Sequence, residues 1–471
     1  MWDKKTTQLF SNMGVPEHMI KRSYTGFSAH WNTIRDLLNH RVIPEEGWNE
    51  SQIRDLLHIF NRLDSDKDPG AIRIGEREGR VSSSLLRELS GDFCHGIGRS
   101  GNLTAAQPKA AGASLMQQLT NRIVLSLIRA LGLSNIKAAL AVPMGTGMSI
   151  GLALKGCLEH YNIDIHQKPY VLMTQVDHKS PKKGVEFIGG KLLVVPGRFG
   201  NNHWSQEGVC ISHEDLEKLY NKHLDKIGAI ISSSAFFAPR VPDNLKKIAK
   251  FAKEQNLVHI VNNAYGIQSS ILISYLRSAV DAGRVDAIVQ STDKCFLTPV
   301  GGAVITSPSL EIIGNISHSY AGRASAVPVL HLLVSLLSMG KNGYMKLMEA
   351  QQRARELLYS QMSALAREYN EHLINCANPV SCALSLDHFS PEEIDKLGGY
   401  LYNLRVTGPR VINMARNPFG SCTTHDQLSS SYLVMNAAIG VEERHIIEAV
   451  QRLRKALLQI RNKKISSGFS N

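Results

Sequence analysis

The sequence predicts an α/β protein built on a mostly parallel sheet that is covered by helices. Strand-like apolar runs such as "AALAV", "YVLMTQV", "GAIISSSA", "LVHIVNN" and "DAIVQST" alternate with helical patterns such as "DNLKKIAKFAKEQN". The chain has 471 residues, of which 43% are hydrophobic, so it can bury a large core. These observations together predict a large α/β unit with a smaller unit beside it.

The pattern divides the chain into three segments. Residues 1–60 are polar and helical in spacing, and we interpret them as an N-terminal helical extension. Residues 61–325 carry the strand–helix alternation and are predicted to form the large domain. Residues 326–471 begin with long helical patterns and continue as a smaller α+β unit that ends in a basic helix.

Composition narrows the class of protein. The chain contains 53 Lys and Arg against 41 Asp and Glu, a formal charge of +12, which favours a polyanionic partner. Its seven cysteines are scattered without a CxxC pair or a Cys/His cluster, so neither a zinc site nor a disulfide framework is predicted. No apolar run is long enough for a membrane span, and we expect a cytoplasmic protein with no membrane partner.

Four strand ends carry residues that suit one cofactor. Ligands of parallel sheets bind at the carboxyl ends of strands, and these ends carry the turn Gly145-Thr146-Gly147, His178, Asn262 and Lys294. A lysine is costly to bury unless it is paired, neutral or covalently engaged. The four ends would hold pyridoxal 5′-phosphate, with its phosphate at the glycine turn, its ring against His178, its ring nitrogen at Asn262 and its aldehyde at Lys294. The alternative is a solvated lysine beside an ordinary strand–helix turn.

Glycine-rich loops upstream carry arginines. Arg77 and Arg80 lie in "GEREGRV", and Arg99 and Ser100 lie in "HGIGRSGNLTAAQPKAAG" together with Gln107. Guanidinium groups in such loops suit a phosphate, and this one would belong to the substrate. The alternative is an exposed charged loop.

Six motifs in order identify a resemblance. "GEREGRV", "HGIGRSGN…QPKAAG", "VPMGTGMS", "HIVNNAYGIQSS", "DKCFLTPVGGA" and "GRASAVP" resemble the O-phosphoseryl-tRNA:selenocysteinyl-tRNA synthase family, over roughly residues 30–465. The resemblance implies a fold-type I pyridoxal phosphate transferase that forms a homotetramer. It also implies phosphoseryl-tRNA(Sec) as substrate and selenophosphate as selenium donor.

The resemblance also implies residue roles. Lys294 would be the cofactor lysine, and Arg77 would lie near the cofactor as a further catalytic residue. The substrate phosphate would be held around the loop 98–108 by Arg99, Ser100, Gln107 and Arg323. Glu76 would exclude free amino acids, because a free carboxylate is repelled whereas an ester to tRNA is not. Residues 1–60 would serve oligomerisation and tRNA contact.

Some positions depart from the family pattern in ways that concern tRNA. Leu404 stands where an arginine is expected, with Arg405 adjacent, and Asp281 and Asn462 stand where basic residues are expected. The terminal helix nevertheless has a basic face that includes Arg461 and Lys463, and we predict that Arg405, Arg461 and Lys463 contact tRNA. A solvated basic helix is the alternative.

Two other functions stay open from the sequence. A related enzyme could insert sulfur or act on another phosphoseryl substrate, because no residue separates selenium from sulfur. A non-catalytic tRNA-binding protein is the second alternative, and the intact Lys294 with its glycine turn disfavours it.

Overall fold

A seven-stranded sheet forms the centre of the computed structural model, which describes residues 4–467 apart from residues 205, 375–377, 417–421 and 425. The strands of the described chain are β1 (Ala138–Val142), β2 (Tyr170–Thr174), β3 (Lys191–Val195), β4 (Gly197–Asn201), β5 (Glu207–Ile211), β6 (Ile227–Ser233), β7 (Val258–Asn262), β8 (Ala287–Ser291), β9 (Ala303–Ser307), β10 (Leu373–Ile374), β11 (Ser381–Ser385), β12 (Arg410–Ile412) and β13 (Tyr432–Asn436). The order in the large sheet is β1-β9-β8-β7-β6-β2-β3. Only β9 runs antiparallel to its neighbours there, so the predicted mostly parallel sheet is confirmed.

Helices cover this sheet and separate its strands along the chain. They are α1 (Lys4–Asn12), α2 (Glu17–His40), α3 (Glu50–Asn61), α4 (Ser84–Leu89), α5 (Ala111–Ala130), α6 (Thr146–His160), α7 (Ser180–Phe187), α8 (His213–Lys222), α9 (Leu245–Glu254), α10 (Ser270–Ala282), α11 (Thr292–Cys295), α12 (Leu310–His318), α13 (Val327–Glu368), α14 (Pro391–Asn403) and α15 (Glu443–Ser467). Strands β1, β6, β7, β8 and β9 are buried along their whole length. Such burial explains their uninterrupted apolar runs. No helix in the described part of the chain is both long enough and apolar enough to cross a bilayer.

The N-terminal segment takes part in the main core. Ile34 and Leu37 of α2 and Leu56 and Phe60 of α3 are buried in the same cluster as the central strands. A reciprocal hydrogen-bond pair between Asn49 and Gln52 caps α3. The apolar side chains of residues 1–60 thus pack into the core of the large unit. That this segment has a separate role in oligomerisation and tRNA contact stays a prediction.

Helix α13 joins the two units and breaks at one glycine. Gly340 has φ 61°, and a Cβ there would lie 2.5 Å from the backbone carbon of Glu46. The break lets the segment before α3 pair with the helix, because Lys341 and Asn342 donate their N–H groups to the carbonyls of Pro44 and Glu45. Helix α13 thus binds the N-terminal segment near its middle, and its second half continues into the small unit.

The smaller unit is the predicted α+β fold. Its antiparallel sheet has the order β10-β11-β13-β12, and α14, α15 and the second half of α13 pack on it. Leu358, Leu401, Leu433 and Leu453 lie in its core. A separate hairpin of β4 and β5 completes the strands described.

Candidate active site at the carboxyl edge of the large sheet

Lys294 lies just beyond the carboxyl end of β8, in the single turn α11. Its Nζ is 4.3 Å from the centroid of the Tyr265 ring. Burial lowers the pKa of Lys294 below the ordinary value of 10.5, and the neighbouring Asp293 only partly opposes this. No ion pair to a carboxylate holds Lys294 among the described residues. The amine is thus suited to act as a neutral nucleophile.

His178 and the glycine turn lie on the neighbouring wall of the same pocket. Burial lowers the pKa of His178, and the positive charge of Lys294 contributes in the same direction. The ring nitrogen Nδ1 of His178 accepts the backbone N–H of Ser180 at 3.1 Å. A Cβ at Gly147 would lie 2.8 Å from the Ser180 Cβ, so the turn before α6 touches the start of α7. The predicted turn, histidine and lysine are therefore brought together.

Asn262 ends β7, the strand beside β8. It is buried, and its side-chain oxygen accepts the N–H of Ala264 at 3.3 Å. Its register partner on β8 is Val289, which places it one strand away from the Lys294 turn. Among the described residues its amide nitrogen donates to no protein acceptor, so a ligand can accept this hydrogen bond.

The pocket also has walls that the sequence did not predict. Tyr265 and Phe237 have ring centroids 5.4 Å apart, and Phe236 lies 6.3 Å from the His178 ring. Arg410, at the start of β12 in the small unit, covers Phe237 with its guanidinium carbon 4.3 Å from the ring centroid. Arg410 also pairs with Asp177 at 2.7 Å. The strand-end motifs "NNAYG" and "VDHKS" contain two of these residues, but nothing local indicated "AFFAPR" or Arg410.

These residues fit pyridoxal 5′-phosphate. The N-terminus of α6 has no side-chain cap, and a Cβ at Gly145 would meet no atom within 4 Å, so space and backbone N–H donors remain for a phosphate. The hydroxyl of Thr292 is buried and unpartnered two residues before Lys294. A partly buried amine, a free amide and an uncapped helix end are the groups that the cofactor requires.

The arginine loop is a separate, ordered cluster. Residues 99–102 form a tight turn in which the N–H groups of Arg99 and Asn102 each donate to the other residue's carbonyl, at 2.9 and 3.0 Å. Arg99 and Ser100 are exposed at its tip, and Ser100 has φ 48°. Gln107 is half-buried, and its backbone N–H bonds to the Ser114 hydroxyl. The loop is thus a defined structure and not a disordered charged segment.

Arg323 lies beside this loop. The backbones of Ile97 and Ala324 pair through two hydrogen bonds, and the Arg323 guanidinium donates to the His95 carbonyl. Burial lowers the pKa of Arg323, and the nearby charge of Arg77 adds to the effect. Its Nε is buried without a partner. A cation in this state is stabilised by an incoming anion.

Arg77 and Glu76 are exposed and face each other, with Arg77 Nε 3.5 Å from the Glu76 carboxylate. Arg80 instead bonds to the carbonyls of Arg73 and Gly75, which fixes the loop. No described hydrogen bond or ion pair joins Arg77, Arg99 or Arg323 to Lys294 within the chain. The structure therefore gathers the predicted residues into two groups, one around Lys294 and one around Arg323.

Charged residues beneath the arginine loop are mutually paired. The side chain of Asp66 is buried and contacts Lys67 and Arg87, and Arg87 also contacts Asp92. Ligand atoms of Asp66, Asp92 and Cys94 lie within 4.8 Å of one another. Because cations already neutralise both carboxylates, we interpret the cluster as a support for the loop.

The residues predicted to contact tRNA have mixed surroundings. Arg405 is exposed with φ 60°, and its carbonyl accepts a hydrogen bond from Arg452. Arg461 donates to the Tyr369 carbonyl at 2.9 Å and covers the Tyr369 and Phe389 rings at 4.8 and 5.0 Å. The side chain of Lys463 lies outside the described residues. Arg461 therefore has an intramolecular role that the sequence did not predict.

The sheet order and the lysine pocket define the chain as a fold-type I pyridoxal phosphate enzyme. A crystal structure of Oryza sativa TDC with PLP and tryptamine shares this fold, with a TM-score of 0.58 at 12% identity over 93% of this chain and 98% of that one. The family profile described as O-phosphoseryl-tRNA(Sec) selenium transferase, SepSecS, matches residues 63–458. The chain belongs to this family.

Individual relatives agree with this assignment. The O-phosphoseryl-tRNA(Sec) selenium transferase of Methanococcus maripaludis is 41% identical over 94% of this chain and 98% of its own length. That of Dictyostelium discoideum is 36% identical over 94% of this chain and 98% of its own. A crystal structure of the archaeal enzyme superimposes with a TM-score of 0.87 at 40% identity, and it covers 94% of this chain and 98% of that one. The predicted family is confirmed.

Proposed function

We infer that the chain converts O-phosphoseryl-tRNA(Sec) to selenocysteinyl-tRNA(Sec) with pyridoxal phosphate as cofactor. Family membership over residues 63–458 supports the reaction. The observation that carries the chemistry is Lys294, which is partly buried and has no carboxylate partner among the described residues. A non-catalytic binding protein has no reason to keep such an amine.

The cofactor would be held by the four strand ends. Backbone N–H groups at Gly145, Thr146 and Gly147 would bind its phosphate, because the N-terminus of α6 has no side-chain cap. His178 would lie against the ring and Asn262 would donate to the ring nitrogen. When bound, pyridoxal phosphate withdraws electrons from the substrate α-carbon and makes its proton acidic.

Lys294 would then move that proton. Because burial lowers its pKa below the ordinary value of 10.5, Lys294 loses its proton more readily than a solvated lysine, and the neutral amine can accept the α-proton. Neighbouring Tyr265 covers the amine and limits the approach of water. Loss of the α-proton and of the substrate phosphate would leave a carbon–carbon double bond. The selenium of selenophosphate would add to the β-carbon, the α-carbon would regain a proton, and water would cleave the Se–P bond to release the second phosphate.

The arginine loop would hold the leaving phosphate. We propose Arg99, Ser100, Gln107 and Arg323 as its ligands, with Arg77 at the cofactor side. The unpartnered Nε of Arg323 supports this role, since a phosphate would supply the missing acceptor and counter-charge. These donors would stabilise negative charge as the carbon–oxygen bond breaks.

Selenophosphate, tRNA and other copies of the chain are the proposed partners. The +12 charge and the exposed Arg405 favour tRNA binding. We propose a homotetramer in the cytoplasm, with segment 1–60 at contacts between copies and with tRNA. Glu76 would disfavour free amino acids at the loop.

A single-turnover assay tests the function. Enzyme with phosphoseryl-tRNA(Sec) is mixed with selenophosphate or thiophosphate, and the aminoacyl product is identified by mass. We expect selenocysteinyl-tRNA with selenophosphate and no product from Lys294→Ala. Cysteinyl-tRNA as the main product would favour a sulfur-inserting enzyme, and no product from the wild type would contradict the proposal.

A further inference from the structure

Arg410 reaches the lysine pocket from the small unit. Its guanidinium carbon is 4.3 Å from the centroid of Phe237, whose ring is 5.4 Å from Tyr265. The Nζ of Lys294 lies 4.3 Å from the centroid of the Tyr265 ring. The positive charge of Arg410 also helps to lower the pKa of His178 on the other wall. Arg410 is therefore part of the wall of the lysine pocket.

The charge of Arg410 is compensated by one carboxylate. Asp177 precedes His178, is 7% exposed, and has Oδ2 2.7 Å from Nη1 of Arg410. The next cation, Arg240, forms its own buried ion pair with Asp243. Burial raises the pKa of Asp177 to about 6, with Arg410 opposing the shift, so the carboxyl is mainly ionised at neutral pH. The pair thus adds no net charge to the pocket.

The ion pair is close but leaves hydrogen-bonding capacity unused. Nη2 of Arg410 donates to the Asp177 backbone carbonyl at 3.2 Å and Nη1 contacts Asp177 Oδ2, so these two contacts leave other N–H groups of the five on the guanidinium without an acceptor. The Arg410 side chain remains 27% exposed. Arg410 can therefore donate to an acceptor in the pocket while its charge is already balanced.

We propose that Arg410 determines specificity by donating to the ester carbonyl of the substrate, and that Asp177 makes this site reject free carboxylates. The proposal rests on the proposed function, since a substrate amine at Lys294 places its α-carbonyl within this pocket. An ester oxygen accepts hydrogen bonds without bringing charge. A free amino acid would place a second carboxylate on a guanidinium that Asp177 already neutralises, and the two carboxylates would repel each other.

The test compares two ligands that cannot react. They are the phosphonate analogue of phosphoserine, in which a methylene replaces the ester oxygen of the phosphate, and the α-carboxyl methyl ester of that analogue. Calorimetry on the cofactor-loaded enzyme gives both dissociation constants. We expect the wild type to prefer the methyl ester. In Asp177→Asn the preference should shift by about tenfold or more toward the free acid.

Glu76→Gln is the comparison variant, because Glu76 is the arginine-loop carboxylate that is itself proposed to disfavour free amino acids, and a shift in both variants supports a contribution from each carboxylate. The proposal is supported if Asp177→Asn shifts the ratio of the two dissociation constants and Asp177→Glu, which keeps the carboxylate, has the ratio of the wild type. An unchanged ratio in Asp177→Asn, or a shift in Glu76→Gln alone, overturns it and places discrimination at the loop. With phosphoseryl-tRNA(Sec) as substrate, added free phosphoserine should raise the apparent KM of Asp177→Asn without changing kcat.

A second variant covers the case in which Asp177→Asn does not fold, as judged by its thermal melt. Arg410→Gln should weaken binding of the ester analogue by about tenfold, and binding of the free acid should remain weak. Unchanged ester affinity in that variant overturns the proposal. If the wild type itself fails to convert phosphoseryl-tRNA(Sec), the proposed function has failed, which is a distinct result from an unchanged ligand preference.

Discussion

Single residues at strand ends were the part of the site that sequence could predict. Lys294, Asn262, His178 and the Gly145 turn each follow an apolar run, and parallel topology forces such ends to one edge. Arg410 could not be predicted, because its position beside Phe237 depends on how the small unit packs on the large one. The pattern of neighbouring residues in the sequence does not indicate contacts between residues that are far apart along the chain.

The lowered pKa of Lys294 gives a first prediction. Only the neutral amine attacks the cofactor aldehyde, so cofactor-free enzyme should capture pyridoxal phosphate with a pH midpoint below the ordinary lysine value of 10.5. The rate should rise as pH increases through the lowered pKa and then become constant. Absorbance of the bound cofactor measures the rate, and borohydride reduction should label Lys294. A midpoint at or above the ordinary value would contradict the burial argument.

The second prediction concerns the substrate phosphate. Arg99→Ala and Arg323→Ala should keep the cofactor and lose turnover by roughly 30- to 1000-fold, equivalent to about 2–4 kcal/mol of transition-state stabilisation. Single-turnover rates and cofactor absorbance are the measurements. Arg129→Ala, an exposed arginine at the end of α5, is the control. Loss of cofactor in both variants would assign these residues to the cofactor site instead.

At the scale of elements, glycine contacts set the distance between α6 and α7. A Cβ at Gly147 would lie 2.8 Å from the Ser180 Cβ and 2.9 Å from its carbonyl oxygen, while a Cβ at Gly145 would meet nothing. Gly147→Ala should therefore destabilise the cofactor-free protein by about 1–3 kcal/mol, and Gly145→Ala should not. Urea unfolding without cofactor measures both. Equal stability of the two variants would mean that the helices move apart at little cost.

The terminal helix combines a basic pattern with packing inside the chain. Its charges predicted a nucleic-acid face, yet Arg461 lies on Tyr369 and Phe389 and holds the helix against α13 and the segment before α14. The sequence could not separate a packing arginine from a solvated one, because both satisfy the same helical spacing.

This difference gives a fourth prediction. Arg461→Ala should lower stability by about 1–2 kcal/mol through lost cation–π contacts and one hydrogen bond. Lys463→Ala should keep the stability of the wild type, weaken tRNA(Sec) binding and reduce the log–log salt slope by about one unit. Binding titrations at several salt concentrations, alongside thermal melts, measure these effects. An unchanged salt slope in Lys463→Ala would mean that tRNA binds to another surface. Arg405→Ala would then be the next variant to measure.

For the whole molecule, the sequence predicted the architecture but not its irregular parts. Parallel buried strands read as continuous apolar runs, so β1, β2, β6, β7 and β8 were recognisable. The antiparallel insertion of β9 between β1 and β8 is a long-range choice that no local pattern encodes. The break of α13 at Gly340 likewise arises from the approach of a segment almost 300 residues earlier in the chain.

The last prediction concerns assembly. Ile72 and Ile74 are 90% and 92% exposed in the single chain, directly before Glu76 and Arg77. Burying each isoleucine would contribute about 1.5–3 kcal/mol, which favours a contact between copies beside the arginine loop. The double variant Ile72→Ser with Ile74→Ser should shift the mass in light scattering from a tetramer to smaller species and reduce turnover. Leu310→Ser, which changes a 62% exposed residue of α12, should not shift the mass. If the double variant keeps the mass of the wild type, the loop is not at a contact between copies.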